Sequence, residues 1–111
     1  MIVTITLIEL KSPLKYLALV SHYLKIMQQA KNASCVSLKS TGFWTTFYTM
    51  TLWESLEDMK IFARKGAHLD AMKVSGKIAK EIRTLTMESP ILLSWKEAKQ
   101  KVKSEGKIMQ Y

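Results

Sequence analysis

At 111 residues the chain has the length of one domain with a single core, and 48% hydrophobic with 23% charged residues excludes a disordered or fibrous protein. Seventeen Lys and Arg against nine Asp and Glu give a formal net charge of +8, which suits anionic partners. The excess is mostly lysine, spread from Lys60 to Lys107, and nothing sets arginines among aromatics as a nucleic-acid reader would, so a solvated surface is favoured over nucleic acid.

Ile2 to Leu10 reads as a first strand, with Val3, Ile5 and Leu7 on one face and Ile2, Thr4, Thr6 and Ile8 on the other. Lys11-Ser12-Pro13 ends it; the Ser12 hydroxyl is placed to cap a helix with Pro13 at its first position. That helix runs to about Ala30, its inner arc predicted as Tyr16, Leu17, Val20, Tyr23, Leu24, Met27 and Ala30, with His22 facing solvent. Ser34 to Lys39 is a short second strand, and Ser40-Thr41-Gly42 is the expected hairpin turn.

The organising stretch is Phe43 to Trp53, uncharged and rich in β-branched and aromatic residues. As a strand it sends Phe43, Thr45, Phe47, Thr49, Thr51 and Trp53 one way and Trp44, Thr46, Tyr48, Met50 and Leu52 the other. Ser55, with Asp58 three residues on, opens a second helix through Met59, Phe62 and Ala63, with a break at Gly66-Ala67-His68 and a continuation through Leu69 and Met72. Glu81 to Ser89 is a fourth strand, ended by Pro90. Ser94 and Glu97 have capping-box spacing before a basic helix that stops near Gly106; Trp95, Ala98 and Val102 are its apolar stripe. So few apolar residues suggest an appendage, and Lys107 to Tyr111 is a weakly specified tail.

The order strand, helix, strand, strand, helix, strand predicts an α+β, ferredoxin-like split βαββαβ domain over residues 1–111, with an antiparallel four-stranded sheet, both helices on one face and an extra C-terminal helix. The other sheet face would be bare and apolar, so a homodimer packed through that face is expected. No apolar run suffices to span a bilayer, so no membrane partner is expected, and the amino terminus lacks the pattern of a secretory signal, so the expected location is cytoplasmic. The single cysteine, Cys35, excludes an internal disulfide and argues against a cysteine-based structural metal site within one chain, and its neighbours Val36 and Ser37 supply no base for a catalytic thiol. No spacing of His and acids forms a metal cluster, and no Gly-rich phosphate loop or G-x-S-x-G element is present.

Tyr48 to Met59, followed by Phe62, Gly66-Ala67-His68 and Met72, resembles the strand-to-helix signature of the dimeric α/β-barrel superfamily. That group includes antibiotic-biosynthesis-type, haem-degrading and spheroidene-monooxygenase-like proteins; an uncharacterised bacterial branch shares the Ser-Trp-x-Glu-Ala helix seen at Ser94 to Ala98. The resemblance implies a dimeric α/β barrel, a monooxygenase-like activity, and a pocket near Trp53 and His68. In haem-degrading relatives a strand-one Asn, a Trp and a helix His act together at haem; this chain has Trp53 and His68 but no Asn in strand one, so haem is a cofactor to test and none is required by the sequence.

Two functional readings follow. In the first, a small-molecule pocket between sheet and helices is lined by Trp53, Phe62, Tyr48 and Arg64, with His68 as the group able to move protons near neutral pH. The plain alternative makes the same aromatics core and His68 a hydrogen-bonding residue at a helix break. In the second, the chain is a non-catalytic dimeric module whose basic surface binds an acidic partner or nucleic acid, with salt-sensitive affinity.

Overall fold

A computed structural model describes residues 1–33 and 35–110, with Ala67, Met109 and Gln110 described by backbone alone. The elements in order are β1 (Ile2–Leu10), a 3-10 turn (Pro13–Lys15), α1 (Tyr16–Lys31), β2 (Cys35–Phe43), β3 (Thr46–Trp53), α2 (Leu56–Ala63), α3 (Gly66–Ile78), β4 (Ala79–Glu88), α4 (Trp95–Glu105) and β5 (Lys107–Gln110). The strands form one antiparallel sheet in the order β2-β3-β1-β4-β5. This is the ferredoxin-like order with a fifth strand: the tail expected to be unspecified pairs with β4, Ile108 opposite Arg83. The predicted strand start at Ser34 and the terminal Tyr111 lie outside the described residues. Among the described residues no helix is long and apolar enough to cross a bilayer.

The hairpin turn lies beyond the predicted position. Phe43 pairs with Thr46, so Trp44 and Thr45 make a two-residue turn, and Ser40, Thr41 and Gly42 belong to β2. Gly42 serves packing instead: a Cβ there would stand 2.3 Å from the Phe47 ring. Trp44 takes the left-handed backbone at φ 60.

Helix starts follow the serine signals at two of three sites. Ser55 Oγ accepts the Asp58 N–H and Ser94 Oγ accepts the Glu97 N–H, satisfying orphan amides of α2 and α4. Ser12 makes no side-chain cap, because Pro13–Lys15 winds as a 3-10 turn before α1 begins. In α1 only Ala30 is buried; Tyr16, Leu17 and Leu24, assigned to the inner arc, are exposed, while His22 is half-buried.

The larger core corrects the picture of a bare sheet face. Val3, Ile5 and Leu7 of β1 with Tyr48, Met50 and Leu52 of β3 are buried together with Ala98 and Val102 of α4. Leu85, Met87, Leu92, Leu93 and Trp95 close its edges. Helix α4 is therefore a core layer rather than an appendage, and the face that seemed to need a second subunit is covered by the chain itself. A smaller cluster, Ala30, Trp53 and Phe62 with Ile2, Ile26, Cys35, Leu38 and Met59, joins α1 and α2 to the opposite face.

Candidate functional site

That opposite face is built from three Thr-x-Thr segments: Thr4-Ile5-Thr6, Thr49-Met50-Thr51 and Thr84-Leu85-Thr86. Register aligns them into two rows, Thr51, Thr4, Thr86 and Thr49, Thr6, Thr84, because directly paired residues of antiparallel strands share a face. Leu38 and Ser40 of β2 extend the rows. Five of the six threonines are half-buried and Thr86 is exposed.

Some of these hydroxyls are engaged. Thr4 Oγ1 and Thr86 Oγ1 share a hydrogen bond of 3.2 Å, Thr51 Oγ1 accepts the Trp53 indole N–H at 2.9 Å, and Tyr23 and Ser40 hydroxyls bond at 2.7 Å. The row Thr49, Thr6, Thr84 makes no side-chain hydrogen bond among the described residues, and no buried side-chain polar atom lacks a partner there. These three hydroxyls therefore face accessible space.

The roof is α1 and α3. Helix α1 crosses the β2 and β3 side, with the Tyr16 ring 5.4 Å from Phe47, Tyr23 on Ser40, and Ile26 and Ala30 at Trp53. No described side chain of α3 is buried. The hydroxyl rows thus lie on the side of the sheet that α1 and α3 occupy, with Phe47, Ile8 and Ile82 as the apolar row at one end.

At the other end stand Trp53, Phe62 and His68, which the structure brings together. Trp53 and Phe62 ring centroids are 4.9 Å apart, and Phe62 and His68 5.3 Å. The His68 ring faces the Ala63 carbonyl through Nδ1 at 3.0 Å; a carbonyl only accepts, so Nδ1 carries the proton and the neutral ring keeps its lone pair on Nε2. Burial lowers the His68 pKa from its ordinary 6.5, against the Ala63 hydrogen bond, which raises it, so the ring is neutral at pH 7.

Gln29 of α1, which sequence reasoning missed, holds this corner. Its Nε2 donates to the Phe62 and Lys65 carbonyls at 3.1 and 2.9 Å, and its Oε1 accepts the His68 N–H at 2.9 Å. One amide thus satisfies the open end of α2 and the first turn of α3, where Gly66 at φ 55 lets the chain reverse. Nothing local in the sequence marks Gln29, since its partners lie more than thirty positions away.

Two predicted pocket residues lie elsewhere. Tyr48 is on the α4 face, its ring 6.5 Å from Trp95 and beneath Lys99 Nζ at 5.1 Å; the two-residue period of β3 puts it opposite Thr49 and Thr51. Arg64 caps the C-terminus of α2 and lines an outer groove with Leu56, Glu57, Lys60, Ile61 and Lys65. Cys35 is half-buried, its thiol donates to the Ser37 carbonyl, and burial pushes its pKa up, away from a nucleophile's. Haem does not fit at the predicted place: Trp53 is 0% exposed and Phe62 6%, so the aromatic corner is packed rather than hollow. Among the described residues no three His, Cys, Asp or Glu side chains are grouped to hold a metal ion.

The fold is that of the antibiotic biosynthesis monooxygenase-like, ferredoxin-fold proteins. A proposed antibiotic biosynthesis monooxygenase of Deinococcus radiodurans is similar with a TM-score of 0.71 at 12% identity, over 85% of this chain and 97% of that one. SnoaB of Streptomyces nogalater, a cofactor-independent oxygenase, is similar with a TM-score of 0.66 at 5% identity, over 81% of this chain and 93% of that one. A dimeric protein of unknown function from Bacteroides fragilis is similar with a TM-score of 0.66 at 15% identity, over 79% of this chain and 95% of that one. No family model and no curated protein matches the chain.

Proposed function

We propose that the protein binds a small molecule on the threonine face, between it and helices α1 and α3, and that it acts on it as a monooxygenase-like enzyme. The carrying observation is the row Thr49, Thr6, Thr84, three hydroxyls free to bond a ligand on a rigid floor. The threonine rows themselves bear no charge, Glu88 standing beyond them opposite Ile2, so the ligand they suit is an uncharged one with several hydrogen-bonding groups, held between hydroxyls and the apolar row of Phe47, Ile8 and Ile82. His68, neutral and with Nε2 as acceptor, is the proton-moving group of this reading, and Trp53 links its corner to the floor through Thr51. The similarity to SnoaB supports oxygen chemistry as the reaction class. A homodimer belongs to the same reading, supported by the dimeric Bacteroides fragilis protein, but with α4 over the apolar face it must use another surface.

The test is a ligand screen by thermal shift, haem included, followed by titration of Thr6→Val and Thr49→Val and by oxygen uptake in His68→Ala. Each valine keeps the branched shape and removes a hydroxyl, so affinity should fall about 5-fold to about 10-fold per site at little change in folding. Unchanged affinity in both valine variants removes the floor as the site. Oxygen uptake with a bound ligand that His68→Ala leaves unchanged removes His68 from the chemistry.

A further inference from the structure

The β2–β3 turn holds a residue that the fold itself does not call for. A two-residue hairpin turn with positive φ favours Asn or Gly, because a Cβ there crowds the following carbonyl. Trp44 sits there at φ 60 and gains little packing in return: it is 69% exposed and its neighbour Phe43 86%. On the adjoining turn, Leu14 is 89% exposed and Leu17 78%.

These pairs share one end of the molecule. The Leu10 N–H donates to the Thr45 carbonyl at 2.8 Å, and Tyr16, between Leu14 and Leu17 in sequence, stacks on Phe47 just past the hairpin turn. Isolated exposed leucines are ordinary; four large apolar side chains on adjoining turns are not. The same end carries exposed Lys11, Lys15, Lys77 and Lys80, since the Lys11 N–H donates to the Ile78 carbonyl at 3.0 Å and Leu10 pairs with Ala79. The nearby carboxylates are engaged: Glu9 accepts from Thr46 Oγ1 at 2.6 Å and Glu81 pairs with Arg83 at 2.9 Å.

We propose that this end docks on an anionic lipid surface, with Phe43, Trp44, Leu14 and Leu17 entering the boundary between headgroups and acyl chains and the four lysines meeting the anionic headgroups. Trp is suited to that boundary by its apolar ring and polar N–H, and lysines near an anionic surface add attraction. A second copy is the poorer occupant, because a two-fold contact centred on the tip sets both lysine collars against each other. That no helix among the described residues spans a bilayer does not bear on docking from one side.

The experiment is co-sedimentation with vesicles of phosphatidylcholine containing phosphatidylserine, against vesicles of phosphatidylcholine alone, with sedimentation velocity of the lipid-free protein. Binding is expected to the anionic vesicles, to weaken with salt, and to fall about 10-fold or more in Phe43→Ser/Trp44→Gly and in Lys11→Glu/Lys15→Glu. Both substituted pairs are exposed, and glycine relieves the left-handed backbone at position 44, so the thermal midpoint of Phe43→Ser/Trp44→Gly should hold or rise and exclude misfolding as the cause. No binding to anionic vesicles overturns the proposal, as does equal binding by the variants. A dimer that Phe43→Ser/Trp44→Gly dissolves, without vesicle binding, assigns the tip to a second copy instead.

Discussion

Ile5 and Thr6 are neighbours in β1, yet Ile5 is sealed beneath α4 between Met50 and Leu85 while Thr6 lies half-open beneath the helices between Thr49 and Thr84. The difference runs through the whole sheet, since β1, β3 and β4 each send aliphatic residues to one side and threonines to the other. Stability resides on the α4 face, where water is excluded from Val3, Ile5, Met50 and Val102. The threonine face is left accessible, which is what a binding surface requires. A threonine keeps the β-branched shape a strand favours while leaving a hydroxyl for a ligand.

Removing residues 94–111 should do the greatest damage to the fold. It uncovers Val3, Ile5, Leu7, Met50 and Leu52, and at about 1.5–3 kcal/mol for each large apolar side chain the loss is on the order of a small domain's whole stability. The cooperative thermal transition followed by circular dichroism should disappear; its survival would return α4 to the status of an appendage.

That role for α4 was not legible in its own residues. Trp95, Ala98 and Val102 were recognisable as an apolar stripe, but three residues look slight until the wide apolar face waiting for them is known. The first four strands and the helix break at Gly66 were legible, because alternation and a conformationally free glycine are local signals, whereas β5 was not. The hairpin was misplaced because Ser40-Thr41-Gly42 has turn composition, whereas the actual turn accepts Trp44 at a backbone angle no turn rule assigns to tryptophan. Each Thr-x-Thr was visible singly; only register shows that three of them coincide. Gln29 could not be found at all without the fold, since its bonds join elements distant in sequence.

A finer contrast comes from the two neighbours in β1. Ile5→Ala should cost about 2–5 kcal/mol by lost burial and a residual cavity, whereas Thr6→Val should stay within about 1 kcal/mol of the parent. Urea unfolding of the two variants measures both, and equal costs would show that the threonine side is as tightly packed as the α4 side.

The smallest effect is the pH dependence at His68. Burial lowers its folded-state pKa below the ordinary 6.5, so the unfolded chain binds a proton that the folded chain resists. Stability from this source is fully present above about pH 6.5 and is lost as pH falls below it toward the folded-state pKa. Unfolding midpoints measured across that interval should fall more steeply for the parent than for His68→Gln; parallel curves would mean that the ring titrates as freely in the folded protein as in the unfolded chain.

Placing the cover of the main core in α4 also sets an order of events during synthesis. Val3, Ile5 and Leu7 leave the ribosome about ninety residues ahead of Ala98 and Val102, which bury them. At about 5–20 residues per second, the nascent sheet goes several seconds without its own lining. Until α4 has been made, that surface is open to whatever chaperone or neighbouring chain it meets first.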